Sequence, residues 1–210
     1  MLAFSPLIYR DLFHASDVGT MKVNEIANLE FIIQHEQKGL GHAILCAEEF
    51  VGNDSFAILL GDTICTGNPN CTRGLVDLFL EKQASVFSVE EIRLDETKRY
   101  GIVSGKDVEE GVMLVDDLVE KPDPEHAPSL LGIQGRYIFT SELFSHLKKT
   151  KIGSGGEIQL TDAMKSLSQV EKMYSWTFNG KRYDIGTMKD WFQSHLELSF
   201  KSDYSSILKE

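Results

Sequence analysis

The segment Gly153-Ser154-Gly155-Gly156-Glu157-Ile158-Gln159-Leu160-Thr161-Asp162-Ala163 gathers the residue types most able to do chemistry in this chain. Its glycines give a backbone free to adopt positive φ and to lie close to a ligand. Glu157, Gln159, Thr161 and Asp162 then supply carboxylate, amide and hydroxyl groups, interleaved with Ile158 and Leu160. That density of donors and acceptors suits a polyhydroxylated ligand. The alternative is a flexible loop entering a helix, with Thr161 or Asp162 as an N-cap contributing about 1 kcal/mol.

Other segments carry charge at element ends. Asp62 follows an apolar run and Gly61; it is either a Mg²⁺ ligand, since Mg²⁺ takes one or two carboxylates with phosphate oxygens and water, or a turn residue. Glu120-Lys121-Pro122 sets opposite charges at a strand end, where Glu120 can accept sugar hydroxyls and Lys121 can meet a phosphate. Alternating side-chain directions mean that the two need not pair with each other. In Gly180-Lys181-Arg182-Tyr183-Asp184-Ile185-Gly186, Lys181 suits a phosphate as a point charge and Asp184 a second metal contact; a basic hairpin turn reads equally well. Gln34 and Gly39-Leu40-Gly41-His42-Ala43 offer an amide and close-approaching backbone to the edge of a planar base, with His42 read as a helix-start or packing residue.

The elements that must position these groups alternate between strand and helix. Residues 43–47 read as a helix within 38–50, and residues 55–60 as a strand buried on both faces, ending at Gly61-Asp62. Ligands of open α/β sheets bind at such carboxyl ends. Further strands are expected over 84–89, 100–103, 117–122, 132–139 and 174–178, with a turn at 104–107. Helices are expected over 74–82, 161–167 and 188–200, with another capped by Ser141 and running through Lys148. The alternation predicts an α/β class with a mainly parallel sheet.

Composition bounds the remaining choices. The chain has 210 residues, 42% hydrophobic and 25% charged, as in an ordinary soluble domain. A net charge of −11 argues against nucleic acid as a partner, because backbone binding needs clustered Lys and Arg. No apolar run approaches the ~20 residues that span a bilayer, and the start lacks a signal-peptide pattern. No membrane partner and a cytoplasmic location are therefore expected. Cys46, Cys65 and Cys71 imply no disulfide framework and read as free thiols.

Together these segments resemble one family, the bacterial-type UTP–glucose-1-phosphate uridylyltransferases, or UDP-glucose pyrophosphorylases. The matching pieces occur in family order: Gln34 with residues 38–43, residues 59–62, 100–103, 119–122, 127–129 with 135–137, 153–163 and 180–186. The resemblance implies a Rossmann-like nucleotidyltransferase sheet with flanking helices over residues 31–210, preceded by an unmatched segment, 1–30. It implies that Gln34 and Gly39 contact uracil, and that Gly101, Glu120 and Glu157 hold the glucose ring. It further implies that Lys121 and Lys181 face phosphates as the catalytic cations, while Asp62 and Asp184 bind Mg²⁺. The implied substrates are UTP and glucose 1-phosphate, and self-association is expected.

The family's opening strand and Gly-rich Gly-x-Gly-Thr-Arg loop find no counterpart here; residues 1–30 offer only Gly19-Thr20 and Lys22. The fold is thus expected to be N-terminally truncated relative to the family. Gly61 stands where proline is common, and Leu130 where a polar residue is expected. Two readings follow. One is uridylyl transfer from UTP to glucose 1-phosphate, by this chain or within a larger assembly. The other is an inactive paralogue that binds sugar phosphate or serves assembly.

Overall fold

Residues 85–89 are apolar or small at every position, and β3 (Ser85–Glu91) is correspondingly buried on both faces through Val89. The chain is described over residues 30–201 in a computed structural model, so all of the 1–30 segment except Glu30 lies outside the described residues. Beside β3 runs β6 (Leu131–Phe139), buried from Gly132 onward. Around them form β1 (Phe56–Leu59), β4 (Gly101–Glu109), β5 (Val112–Glu120) and β7 (Met173–Thr177), in the order β1-β6-β3-β7-β5-β4. The start of β4 also meets β6 through Ile102↔Gly132 and Val103↔Leu131, so the sheet curls back on itself.

The expectation of a mainly parallel sheet is corrected. Among the described residues only β3 and β7 pair in parallel; β1–β6, β3–β6, β4–β5, β4–β6 and β5–β7 are antiparallel. The strand–helix–strand pattern is present, since β1 and β3 both oppose β6 and so share a direction. β6 sits between them, and that insertion is invisible in local sequence. The expected turn at 104–107 lies inside β4, where the register shifts at Ser104/Gly105; the hairpin turns instead near Gly111, whose φ is 71°. β1 is only half-buried apart from Ile58, because its described neighbour is β6 alone.

Helices cover the two faces according to the strand alternation. Phe87, Val89, Tyr137 and Phe139 face a cluster with Leu143 and Leu147 of α4 and Met164 and Leu167 of α5. Val86 and Ile138 face the opposite cluster, with Cys71, Leu75 and Leu78 of α3. Here α3 is Cys71–Lys82, α4 is Glu142–Lys149 and α5 is Leu160–Ser168. In place of the helix expected over 43–47, residues 38–50 form two short ones: α1 (Gly39–Leu45), which already includes the expected glycine turn, and α2 (Glu48–Val51). They part where Ala47 N–H bonds Ile44 C=O at 2.9 Å, tightening the last turn of α1. Ser141 precedes α4 without a side-chain cap; its hydroxyl instead meets Asn53 C=O at 3.3 Å.

A separate two-stranded ribbon pairs β2 (Thr63–Thr66) with β8 (Lys181–Asp184). Thr187 then caps α6 (Met188–Phe200), its Oγ1 accepting from Asp190 N at 3.1 Å. All three cysteines are free thiols, as expected. No helix among the described residues is long and apolar enough to cross a membrane.

Candidate functional site

The glycine-rich loop is built by its own backbone. Gly155 and Gly156 take φ of 72° and 77°, and Gly153 N–H closes the turn onto Glu157 C=O at 2.8 Å. The loop then docks on α1: Ile158 N–H bonds Lys38 C=O at 2.8 Å, and Gly41 N–H bonds Ile158 C=O at 3.0 Å. A side chain at Gly39, where φ is 86°, would stand 2.6 Å from Glu157 Cβ. Gly39 is thus glycine because Glu157 packs directly on it. Neither Thr161 nor Asp162 caps α5; the cap position is Gln159, whose Nε2 reaches Glu157 Oε2 at 3.3 Å.

Gln34 is drawn into the same corner, with Nε2 3.2 Å from Gly39 O and 2.9 Å from His42 Nδ1. His42 therefore helps to hold the start of α1, in keeping with its packing role. From the first turn of α5, Thr161 Oγ1 donates to Glu120 Oε2 at 2.6 Å. Glu120 lies opposite Gly101 in the β4–β5 pair, and a side chain at Gly101 would meet Thr161 Oγ1 at 2.7 Å and Glu120 Oε2 at 3.2 Å. Two carboxylates, an amide and a hydroxyl thus form one rim over Gly39 and Gly101. Burial, with Glu120 nearby, also pushes the Asp162 carboxyl above its ordinary value, although Lys165 opposes this.

Lys121 leaves the strand with a φ of 45°, a left-handed conformation costly for a side-chain-bearing residue. Strand alternation ends there, and Lys121 Nζ lies 3.4 Å from Glu120 Oε1. The two charges do pair, and half of the lysine side chain remains open to solvent.

The ribbon supplies a second pair of carboxylates. Thr63 pairs with Asp184, and Ile185 N–H bonds Asp62 C=O at 2.8 Å, which sets Asp62 beside Asp184. A side chain at Gly186 would stand 3.2 Å from Asp184 Oδ1 and 3.4 Å from Asp62 Oδ2. Asp184 Oδ2 accepts from Tyr100 OH at 2.9 Å, Arg99 Nη2 at 3.1 Å and Arg182 Nη1 at 3.3 Å, and Oδ1 accepts from Gly186 N at 3.0 Å. Burial works to raise the Asp184 carboxyl, but Gly186 N–H, Tyr100 OH and Arg182 outweigh it and hold it below the usual range. The exposed Asp62 carboxylate makes no hydrogen bond or ion pair among the described residues. An uncommitted carboxylate beside Asp184 Oδ1 fits a hard divalent cation that prefers oxygen ligands.

Tyr100 joins the two groups. Its hydroxyl holds Asp184, its carbonyl accepts Lys121 N–H at 3.1 Å, and Gly101 follows it in the chain. Thr161, read in the sequence as part of the glycine-rich segment, serves Glu120; Tyr100 and Arg99 carry no role in the sequence reading, because neither side chain belongs to a motif that assigns it one. The Asp184 partners become visible only once β8 is placed near the start of β4.

Lys181 is placed differently from the expectation of a phosphate contact. Strand alternation puts it with Tyr183 on the ribbon face opposite Arg182 and Asp184. There its Nζ lies 2.6 Å from Glu197 Oε2 of α6 and over the Tyr183 ring. The structure does not bring it to the Asp62–Asp184 pair.

Comparison with known proteins identifies the family and the fold. A family model described as nucleotidyl transferase matches residues 8–199. The UTP–glucose-1-phosphate uridylyltransferase of Bacillus subtilis (strain 168) is 40% identical over 180 residues, covering 86% of this chain and 62% of that protein. A solved UDP-glucose pyrophosphorylase complexed with UDP-glucose superposes with a TM-score of 0.81 and 38% identity, over 82% of this chain and 66% of that one. The UTP-bound enzyme from Acinetobacter baumannii gives 0.72 and 28%, over 83% and 61%. The chain thus spans about three-fifths of the length of the curated relatives it matches. The match over residues 8–199, with a fold of this similarity, places the chain in the nucleotidyl transferase family.

Proposed function

We propose that the chain serves uridylyl transfer from UTP to glucose 1-phosphate, giving UDP-glucose and pyrophosphate. The observation that carries this reading is the link, through Tyr100, between the Glu120–Thr161–Glu157 rim and the Asp62–Asp184 pair. Such a layout suits a ligand that is a polyol at one end and a metal-bound phosphate at the other. The names of the relatives supply the nucleotide and the sugar.

In this reading Glu120 and Glu157 accept hydroxyls of the glucose ring, and Gly39 and Gly101 leave room for these side chains to take up their places. Gln34, at the start of α1, faces the uracil edge with Gly39. Lys121, at the end of β5, meets a phosphate. Asp62 and Asp184 would hold Mg²⁺, whose charge would offset that of the phosphates. A phosphate oxygen of glucose 1-phosphate forms a bond to the α-phosphorus of UTP while the bond from that phosphorus to the bridging oxygen breaks, releasing pyrophosphate. The side chains of this site act by positioning and charge rather than as covalent nucleophiles. A cytoplasmic setting and self-association belong to the same reading, the latter supported by exposed Trp191, Phe192 and Phe200 on α6.

Titration calorimetry of the 210-residue chain with UDP-glucose tests the proposal. Glu120→Gln and Glu157→Gln should each weaken binding at least tenfold, since a hydrogen bond to a charged group contributes about 1.5–3 kcal/mol. Absence of binding by the unmodified chain, or indifference to both substitutions, would refute it.

A further inference from the structure

Arg136 is a buried cation, 9% exposed, and among the described residues its guanidinium bonds to backbone carbonyls and to no carboxylate. A charge in that position is costly unless its donors are met. Backbone carbonyls meet them: Nη1 donates to Leu60 O and Gly135 O, both at 3.0 Å, and Nη2 donates to Thr63 O. Leu60 and Thr63 bracket Gly61-Asp62. One guanidinium on β6 therefore spans the chain on both sides of the Asp62 carboxylate.

Two further bonds complete the clasp. Leu60 N–H bonds Gly135 C=O at 3.0 Å, and Thr63 N–H bonds Leu60 C=O at 3.3 Å. The planar fork reaches two carbonyls at fixed separation, which a lysine ammonium on a flexible stem does not reproduce. An apolar side chain at 136 would avoid the burial cost, but it would take the guanidinium from the Thr63 carbonyl and leave the Leu60 carbonyl only the 3.3 Å bond from Thr63 N–H. Among the described residues exposed Asp62 has no hydrogen-bonding or ion-pair partner for its side chain, so its aim is set by its backbone.

We propose that Arg136 is a positioning residue that aims Asp62 at the divalent cation by clamping the carbonyls of Leu60 and Thr63. This rests on the reading of Asp62 and Asp184 as metal ligands. A chain with Arg136 intact presents Asp62 ready for the cation; a chain without it must order the turn during binding and loses affinity for the metal specifically.

Mn²⁺ binding to the purified chain, followed by electron paramagnetic resonance, tests this with Asp62→Asn, Arg136→Met and Arg136→Lys. Asp62→Asn and Arg136→Met are expected to weaken Mn²⁺ at least tenfold, with Arg136→Lys between Arg136→Met and the parent. UDP-glucose binding in EDTA should stay within twofold for both Arg136 variants. Hydrogen exchange at the Thr63 amide should quicken at least tenfold, while β3 amides keep their protection. If Asp62→Asn loses Mn²⁺ and Arg136→Met does not, the clamp is refuted and the metal reading stands. If Asp62→Asn binds Mn²⁺ like the parent, the metal reading fails and this inference with it. Loss of cooperative unfolding in both Arg136 variants would assign the residue to general stability and overturn the positioning role.

Discussion

Replacing Thr161 by valine removes one hydroxyl and keeps the shape of the side chain. Thr161 is 6% exposed, and the Glu120 side chain it serves is 16% exposed, so water cannot readily replace the lost donor. The 2.6 Å separation is that of a charge-assisted bond between a hydroxyl and a carboxylate. Its loss should cost about 1.5–3 kcal/mol of stability. For a chain of this size that corresponds to a drop of about 3–12 °C in melting temperature. Glu120 would then be free to turn toward Lys121, 3.4 Å from its other oxygen, and away from a bound sugar. UDP-glucose should bind about tenfold more weakly, a change of about 1.4 kcal/mol. Thermal unfolding and titration calorimetry read both effects. Thr161→Ser is the control: it keeps the hydroxyl and gives up one methyl, about 0.8 kcal/mol. Valine and serine variants with equal losses in affinity would show that packing, and not the hydrogen bond, sets the pocket.

Gly39→Ala forces a side chain into a position where φ is 86° and Glu157 Cβ lies 2.6 Å away; calorimetry should show UDP-glucose affinity reduced more than tenfold, with a destabilisation of about 1–3 kcal/mol. Tyr100→Phe removes one of the donors that depress Asp184. Because Asp184 is depressed when folded, its contribution to stability is present above its unfolded value, near 3.8, and is lost as pH falls through the folded value. The substitution raises that folded value, so the acid midpoint of Mn²⁺ binding should move to higher pH in a pH titration. Lys181 and then Lys201 hold the Glu197 carboxyl down to about 2, so this tie between ribbon and α6 is present above pH 4.5 and is lost as pH falls through about 2. Glu197→Gln should release Lys181, read as faster acetylation of that lysine by mass spectrometry.

Much of the fold could be read locally. Residues 85–89 are apolar or small throughout, 132–139 hold Ile133, Tyr137, Ile138 and Phe139, and the helix expected over 188–200 is α6 with those bounds. Strand direction was not legible, because it depends on β6 entering between β1 and β3 from far along the chain. Gly105-Lys106-Asp107 has the composition of a turn, yet Gly105 is glycine because a Cβ there would collide with the Leu114 backbone at a strand irregularity. Within the site, Gly39, Glu120 and Glu157 were legible as glycine-flanked or strand-end groups that the fold brings to one rim. Lys181 was not, since its motif gives the residue type while only the face of the ribbon decides what it meets.

The pairing of Thr63 with Asp184 also governs when the metal site can come into being. During synthesis Asp62 leaves the ribosome long before its partner carboxylate is made. The same is true of β1, which waits for Phe139, and of β3, whose parallel neighbour begins at Met173. Such distant pairings make folding slow and leave unpaired strand edges while it proceeds. A chain that ends before Lys181 contains both Glu120 and Thr161, yet it has no second carboxylate for Asp62. The residues of the sugar rim are thus all made before the second carboxylate of the cation pair, so competence for metal reports completion of the last strand.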